Sequence, residues 1–122
     1  MEFNEHKPIY LQIVDTLCER ILSGEWKEED RIPSVRELGM DLGVNPNTVM
    51  RAYDFLQNTE VIYNKRGIGY FVAPKAKQNI KNSQKVQFVE EELQQIFKKM
   101  ELLDVSIDEF SRLFKDFGSS AK

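Results

Sequence analysis

Only three residues, Gly43, Val44 and Asn45, separate two short stretches that each read as an amphipathic helix, and no other feature constrains the fold so tightly. Upstream, Ser34 followed three residues later by Glu37 forms a capping box, and Val35, Leu38 and Leu42 line one side of a helix that stops at Gly43. Downstream, Asn45 supplies an N-cap and Pro46 a first-turn proline for a helix whose Val49, Ala52, Tyr53 and Leu56 face inward. A glycine-containing connection this short joins the two helices of a helix-turn-helix, although tight helix pairs also occur in proteins that bind nothing.

The flanking segments extend the pattern. Pro8 stands at a first-turn position, and Tyr10, Ile13, Val14, Leu17, Cys18 and Ile21 recur at three- and four-residue spacing until Gly24. Cys18 lies within that stripe and reads as a small buried hydrophobe. After the helix pair, Val61-Ile62-Tyr63 and Tyr70-Phe71-Val72 are β-prone runs bracketing Asn64-Lys65-Arg66-Gly67-Ile68-Gly69, which predicts a hairpin with a basic tip. The fold class expected is mainly α with a small β-hairpin: a winged helix-turn-helix over residues 1–75.

Residues 76–85 turn polar and basic and read as a linker. Beyond them Val86, Val89, Leu93, Ile96, Met100 and Leu103 follow at heptad-like spacing, a seam of about 27 Å on a helix of about 20 residues. Phe97 widens it. Ser106 with Glu109 is a second capping box, and Phe110, Leu113, Phe114 and Phe117 mark one face of a last helix of about 12 residues, with the tail from Ser119 frayed.

At 122 residues there is room for one small domain and a short appendage. One cysteine and one histidine, His6, allow no intrachain disulfide, no multi-cysteine zinc site and no histidine cage. With no phosphate-cradling glycine loop and no paired carboxylates in an apolar setting, no catalytic constellation can be assembled, and no cofactor or metal is expected. The longest apolar run is Tyr70-Phe71-Val72-Ala73, far short of a membrane span, and the acidic opening at residues 1–5 is not a secretory leader. A soluble cytoplasmic protein is expected. The formal charge of −3 hides an asymmetry: residues 1–30 carry three basic and eight acidic side chains, residues 31–77 seven and four, and residues 65–85 six basic and no acidic ones.

A helix that reads DNA needs amide or guanidinium groups on its first turns. Asn47, four residues before Arg51, suits an adenine edge, Arg51 a guanine or a phosphate, and Thr48 a phosphate oxygen; Asn45 is also fully explained as a cap. Ser34 and Arg36, at the start of the preceding helix, suit a phosphate clamp, the alternative for Arg36 being a pair with Asp41 or with Glu28, Glu29 or Asp30. Lys65, Arg66 and Gly67 at the hairpin tip suit a minor groove or, alternatively, a solvated turn. The rival to a double-stranded DNA partner is a protein-interaction adaptor, which should expose a contiguous apolar patch on the same face; Met50 leans that way.

The run from Gly24-Glu25-Trp26 through Arg31-Ile32-Pro33-Ser34-Val35-Arg36-Glu37-Leu38, then Leu42-Gly43-Val44-Asn45-Pro46-Asn47-Thr48-Val49, Ala52-Tyr53 and Gly67-Ile68-Gly69-Tyr70-Phe71-Val72 resembles the winged-helix domain of the GntR family of bacterial transcription regulators. Pro8-Ile9-Tyr10 and Asn45-Pro46-Asn47-Thr48, with a short C-terminal part, resemble its YtrA subfamily. The resemblance implies a homodimeric, usually repressing protein on a palindromic operator, with contacts at Arg36 and Ser34, at Asn47 and Thr48, and at Gly67. It also suggests control of a transporter operon. Many members carry arginine where this chain has Pro46 and Met50, and glycine where it has Glu60. Two helices as short as those after residue 86 cannot enclose an ordinary ligand pocket, so their stripes, from Val86 to Leu103 and from Phe110 to Phe117, are expected to pair between chains. The alternative is packing back on the winged helix. An effector is left unidentified.

Overall fold

The computed structural model describes residues 6–120; the acidic opening at residues 1–5 lies outside them, as do the last two residues of the tail. Three helices, a hairpin and a run of further helices follow in order. Helix α1 spans Ile9–Leu22 with Pro8 as its extended N-cap, and buries Ile13, Val14, Leu17, Cys18 and Ile21. Burial pushes the Cys18 thiol up to about 12, so it behaves as the hydrophobe its spacing predicts.

Helix α2, Val35–Leu42, starts on the full capping box: Ser34 Oγ accepts from the Glu37 N–H at 3.1 Å and Glu37 Oε1 accepts from the Ser34 N–H at 3.1 Å. Gly43 ends it at φ +69°, a left-handed conformation that glycine adopts without strain. Helix α3, Pro46–Asn58, buries Val49, Ala52, Tyr53 and Leu56 against α1 and α2. Past its end Glu60 sits at φ +59°, which turns the chain toward the sheet without the usual glycine.

Strands β1 (Ile62–Lys65) and β2 (Gly69–Val72) pair antiparallel, with Ile62 opposite Val72 and Lys65 opposite Gly69. The loop at residues 29–32 lines the other edge of β2. Its Glu29 N–H donates to the Val72 carbonyl at 2.8 Å, the Val72 N–H to the Asp30 carbonyl at 2.9 Å, and the Ile32 N–H to the Tyr70 carbonyl at 2.9 Å. The hairpin is thereby tied to the segment leading into α2.

The linker expected at residues 76–85 is instead helical: α4 spans Ala76–Gln87. Ala76 and Ile80, one turn apart, are buried in the core of the winged unit, the Lys75 N–H donates to Glu28 Oε1 at 3.1 Å, and Asn79 Nδ2 donates to the Glu60 carbonyl at 2.8 Å. Two apolar residues on a polar helix suffice because the core supplies the surface they cover. The seam expected on one helix is interrupted too: a π-helical turn at Phe88–Glu92, closed by the Leu93 N–H on the Phe88 carbonyl, precedes α5, Leu93–Leu102. Such a turn inserts a residue and shifts the helical register of the residues after it. Helix α6, Ile107–Ser120, runs on past Gly118 to include Ser119 and Ser120, the described part of the tail expected to fray.

The chain divides into residues 1–83 and 84–122. In the second unit no described side chain of α5 or α6 is buried, and Phe114 and Phe117 are 68% and 70% exposed. Among the described residues, no helix is long and apolar enough to cross a membrane.

Candidate nucleic-acid interface

The sequence-predicted cations and amides fall on three elements of the first unit. At the head of α2, Ser34 and Arg36 are exposed. The Ser34 oxygen serves as the cap acceptor, and the Ser34 N–H, with its hydroxyl second, holds the Glu37 carboxyl below the ordinary glutamate value. Among the described residues only Lys7 with Asp15 and Arg20 with Glu25 form ion pairs, so Arg36 pairs with none of the acids weighed against it.

On α3, Asn45 Oδ1 accepts from the Asn47 N–H at 2.8 Å, which commits Asn45 to the cap. That bond leaves the Asn47 side chain free of cap duty, and Asn47 is exposed, while Thr48 is half-buried. Arg51 does not stand free beside Asn47. Its guanidinium carbon lies 4.3 Å from the centre of the Tyr10 ring, a cation–π contact that holds it toward α1.

At the hairpin tip Gly67 takes φ +78°, and nothing lies within 4 Å of where its Cβ would be, so the turn is open on that side. Arg66 is exposed. Lys65 Nζ lies 4.6 Å from the centre of the Phe71 ring, which draws it back along the strand. The wing is joined to α3 through Tyr70: its ring meets that of Tyr53 edge-on at 4.8 Å, and its hydroxyl donates to Met50 Sδ at 3.9 Å. Tyr53, fully buried, donates in turn to the Pro33 carbonyl at 2.5 Å. One chain of aromatic contacts therefore fixes the wing against α3 and ties both to the residue before Ser34.

Two further positions of the candidate surface owe their place to the fold. Arg31 crosses the wing at Gly69, where a Cβ would lie 3.1 Å from its Nε, adding a cation at the wing's root. Its sequence signal is slight: a lone arginine in an acidic loop. Met50 stands out in the sequence as an apolar residue on this face and as a departure from the family pattern, but its tie to Tyr70 depends on the strand pairing. The arrangement offers exposed guanidinium groups at the head of α2 and on the wing around an amide on α3, groups that suit phosphates and a base edge.

A family model described as bacterial regulatory proteins, gntR family, matches residues 9–72. The HTH-type transcriptional repressor YtrA of Bacillus subtilis is 32% identical over 94% of this chain and 88% of its own. A solved structure of a GntR-family transcriptional regulator from Bacteroides thetaiotaomicron is 48% identical, with a TM-score of 0.78 over 93% of this chain and 99% of that one. The DNA-binding domain of AraR, crystallised in complex with operator ORR3, is 30% identical with a TM-score of 0.54 over 60% of this chain and 86% of that one.

Proposed function

Because the chain belongs to the gntR family of bacterial regulatory proteins, transcription regulators with a winged helix-turn-helix head, we propose that it acts as a cytoplasmic repressor that binds a palindromic operator as a homodimer. Asn47 reads a base edge from α3, Arg36 and the α2 amides beside Ser34 clamp a phosphate, and Arg66 with Gly67 enters the minor groove. The observation that carries this reading is that Asn47, Arg36 and Arg66 are all exposed and that neither arginine is held in an ion pair. Asn45, Thr48, Arg51 and Lys65 support the surface from a cap, a half-buried site and two aromatic stacks.

The dimer half of the proposal rests on α5 and α6, whose apolar faces the described residues leave uncovered. Leu93, Ile96, Phe97, Met100 and Leu103, with Phe110, Leu113, Phe114 and Phe117, form the seam, and Val86 and Val89, before and within the π-helical turn that shifts the register, add apolar surface to it. Two reading heads then address half-sites one helical turn of DNA, or a multiple of it, apart. Control of a transporter operon belongs to the proposal, as the target class that the sequence resemblance to the YtrA subfamily suggests.

Selection of bound duplexes from a random pool by the purified chain tests all of this. An enriched inverted repeat is the expected result. No enrichment over scrambled duplex would overturn the reading in favour of a winged-helix adaptor, for which the exposed Met50 and Ile68 would be the docking residues.

A further inference from the structure

Pro46, Asn47, Met50, Arg51 and Asp54 are the exposed residues of the first turns of α3, and the structure commits each of them differently: Pro46 is a short, rigid ring at the first helical position, directly behind the Asn45 cap. Arg51 is stacked on Tyr10. Asp54 carries a charge that phosphates repel. Asn47 offers an amide and Met50 a long thioether side chain, the two that can extend from this face to a base edge.

Met50 is 39% exposed, and its one polar atom, the sulfur, is engaged by the Tyr70 hydroxyl. Tyr70 is itself braced on buried Tyr53, so a side chain with three rotatable bonds is held in place before any ligand arrives. What it offers to a groove is carbon. In the major groove of B-DNA the one apolar feature on a base edge is the 5-methyl group of thymine.

We propose that Met50 reads a thymine methyl group in each operator half-site, beside the base edge taken by Asn47. The inference rests on the reading of α3 as the recognition helix. It makes this chain's sequence preference depend on a packing contact rather than on a guanidinium.

The test uses the full chain and the half-site recovered by selection. Each thymine is replaced in turn by deoxyuridine, which removes the methyl and nothing else, and binding is measured for the wild type, Met50→Ala and Met50→Leu. One position per half-site is expected to weaken the wild type about fourfold on losing its methyl, the effect of one buried carbon. Met50→Ala should be indifferent there and Met50→Leu should keep the sensitivity. A uridine effect of equal size in the wild type and Met50→Ala, or a loss in Met50→Ala that is the same on scrambled duplex, overturns the proposal and leaves DNA binding standing. Failure of the selection itself removes both.

Discussion

Arg36 and Arg51 carry the same group and differ only in what lies next to it. Arg51 rests on Tyr10, whereas Arg36 is exposed and outside the ion pairs of the described residues. Replacing Arg36 by alanine should weaken binding to all duplexes and lower the slope of log K against log salt by about 0.9 for each phosphate that is no longer neutralised. Titrations at several salt concentrations measure that slope, and an unchanged value takes Arg36 out of the clamp. Glu60 poses a different residue-scale question, because a side chain at φ +59° carries a steric cost of about 1–2 kcal/mol that glycine avoids. After the greater freedom of glycine in the unfolded chain is set against this, Glu60→Gly should stabilise by about 0.5–1 kcal/mol. The bond from Asn79 to the residue-60 carbonyl is to backbone and survives the change. A melting temperature that stays level or falls would show that the turn is unstrained. The sequence marks position 60 by the missing glycine; only the backbone angle reveals what glutamate does there.

At the scale of the element, the helix starts were legible because a cap and its partner lie within one turn of each other. Ser34 with Glu37 is the clearest case. Hydrogen bonds from Ser34 hold the Glu37 carboxyl below its ordinary 4.5, so the ionised form is favoured in the folded chain. Its contribution to stability is present above pH 4.5 and is lost as pH falls through the lowered value. Glu37→Gln keeps a capping acceptor but cannot titrate, so the stability gap between wild type and variant should shrink on acidification. Denaturant unfolding at a series of pH values gives that gap, and a gap that is constant down to the acid transition rules the mechanism out. Helix α4 was not legible. Its composition is polar, and the two residues that hold it, Ala76 and Ile80, join a core built from residues far back in the sequence. Since Ile80 is only 1% exposed, Ile80→Ala should cost about 2–4 kcal/mol, whereas a loss under about 0.5 kcal/mol would mark the segment as the linker its composition suggests. The strand-like loop at residues 29–32 escaped for the same reason: its partners on β2 lie some forty residues away.

In the whole molecule, burial among the described residues ends at Ile80, and beyond it a run of helices presents apolar side chains that the described chain leaves open. Exposed aromatic faces of this extent are what a partner surface requires. On the proposed dimer, Ile96→Glu should give a monomer by sedimentation with operator binding greatly weakened, and an intact dimer for that variant would place the seam elsewhere. The formal charge of −3 hides this layout, because the seven cations of residues 31–77 are offset by the eight acids of residues 1–30 in the same head. By itself the sequence determined the three helices, the caps of α2 and α3, the tight connection and the basic-tipped hairpin. All of these rest on residues within a turn or a hairpin of one another, where steric and hydrogen-bonding preferences act without help from the rest of the chain. Tertiary structure alone decided that α4 joins the core, that Arg51 leans on Tyr10, and that Met50 is pinned by Tyr70. Each of those depends on surfaces that meet only after the chain has closed on itself, and no local preference encodes which surfaces meet.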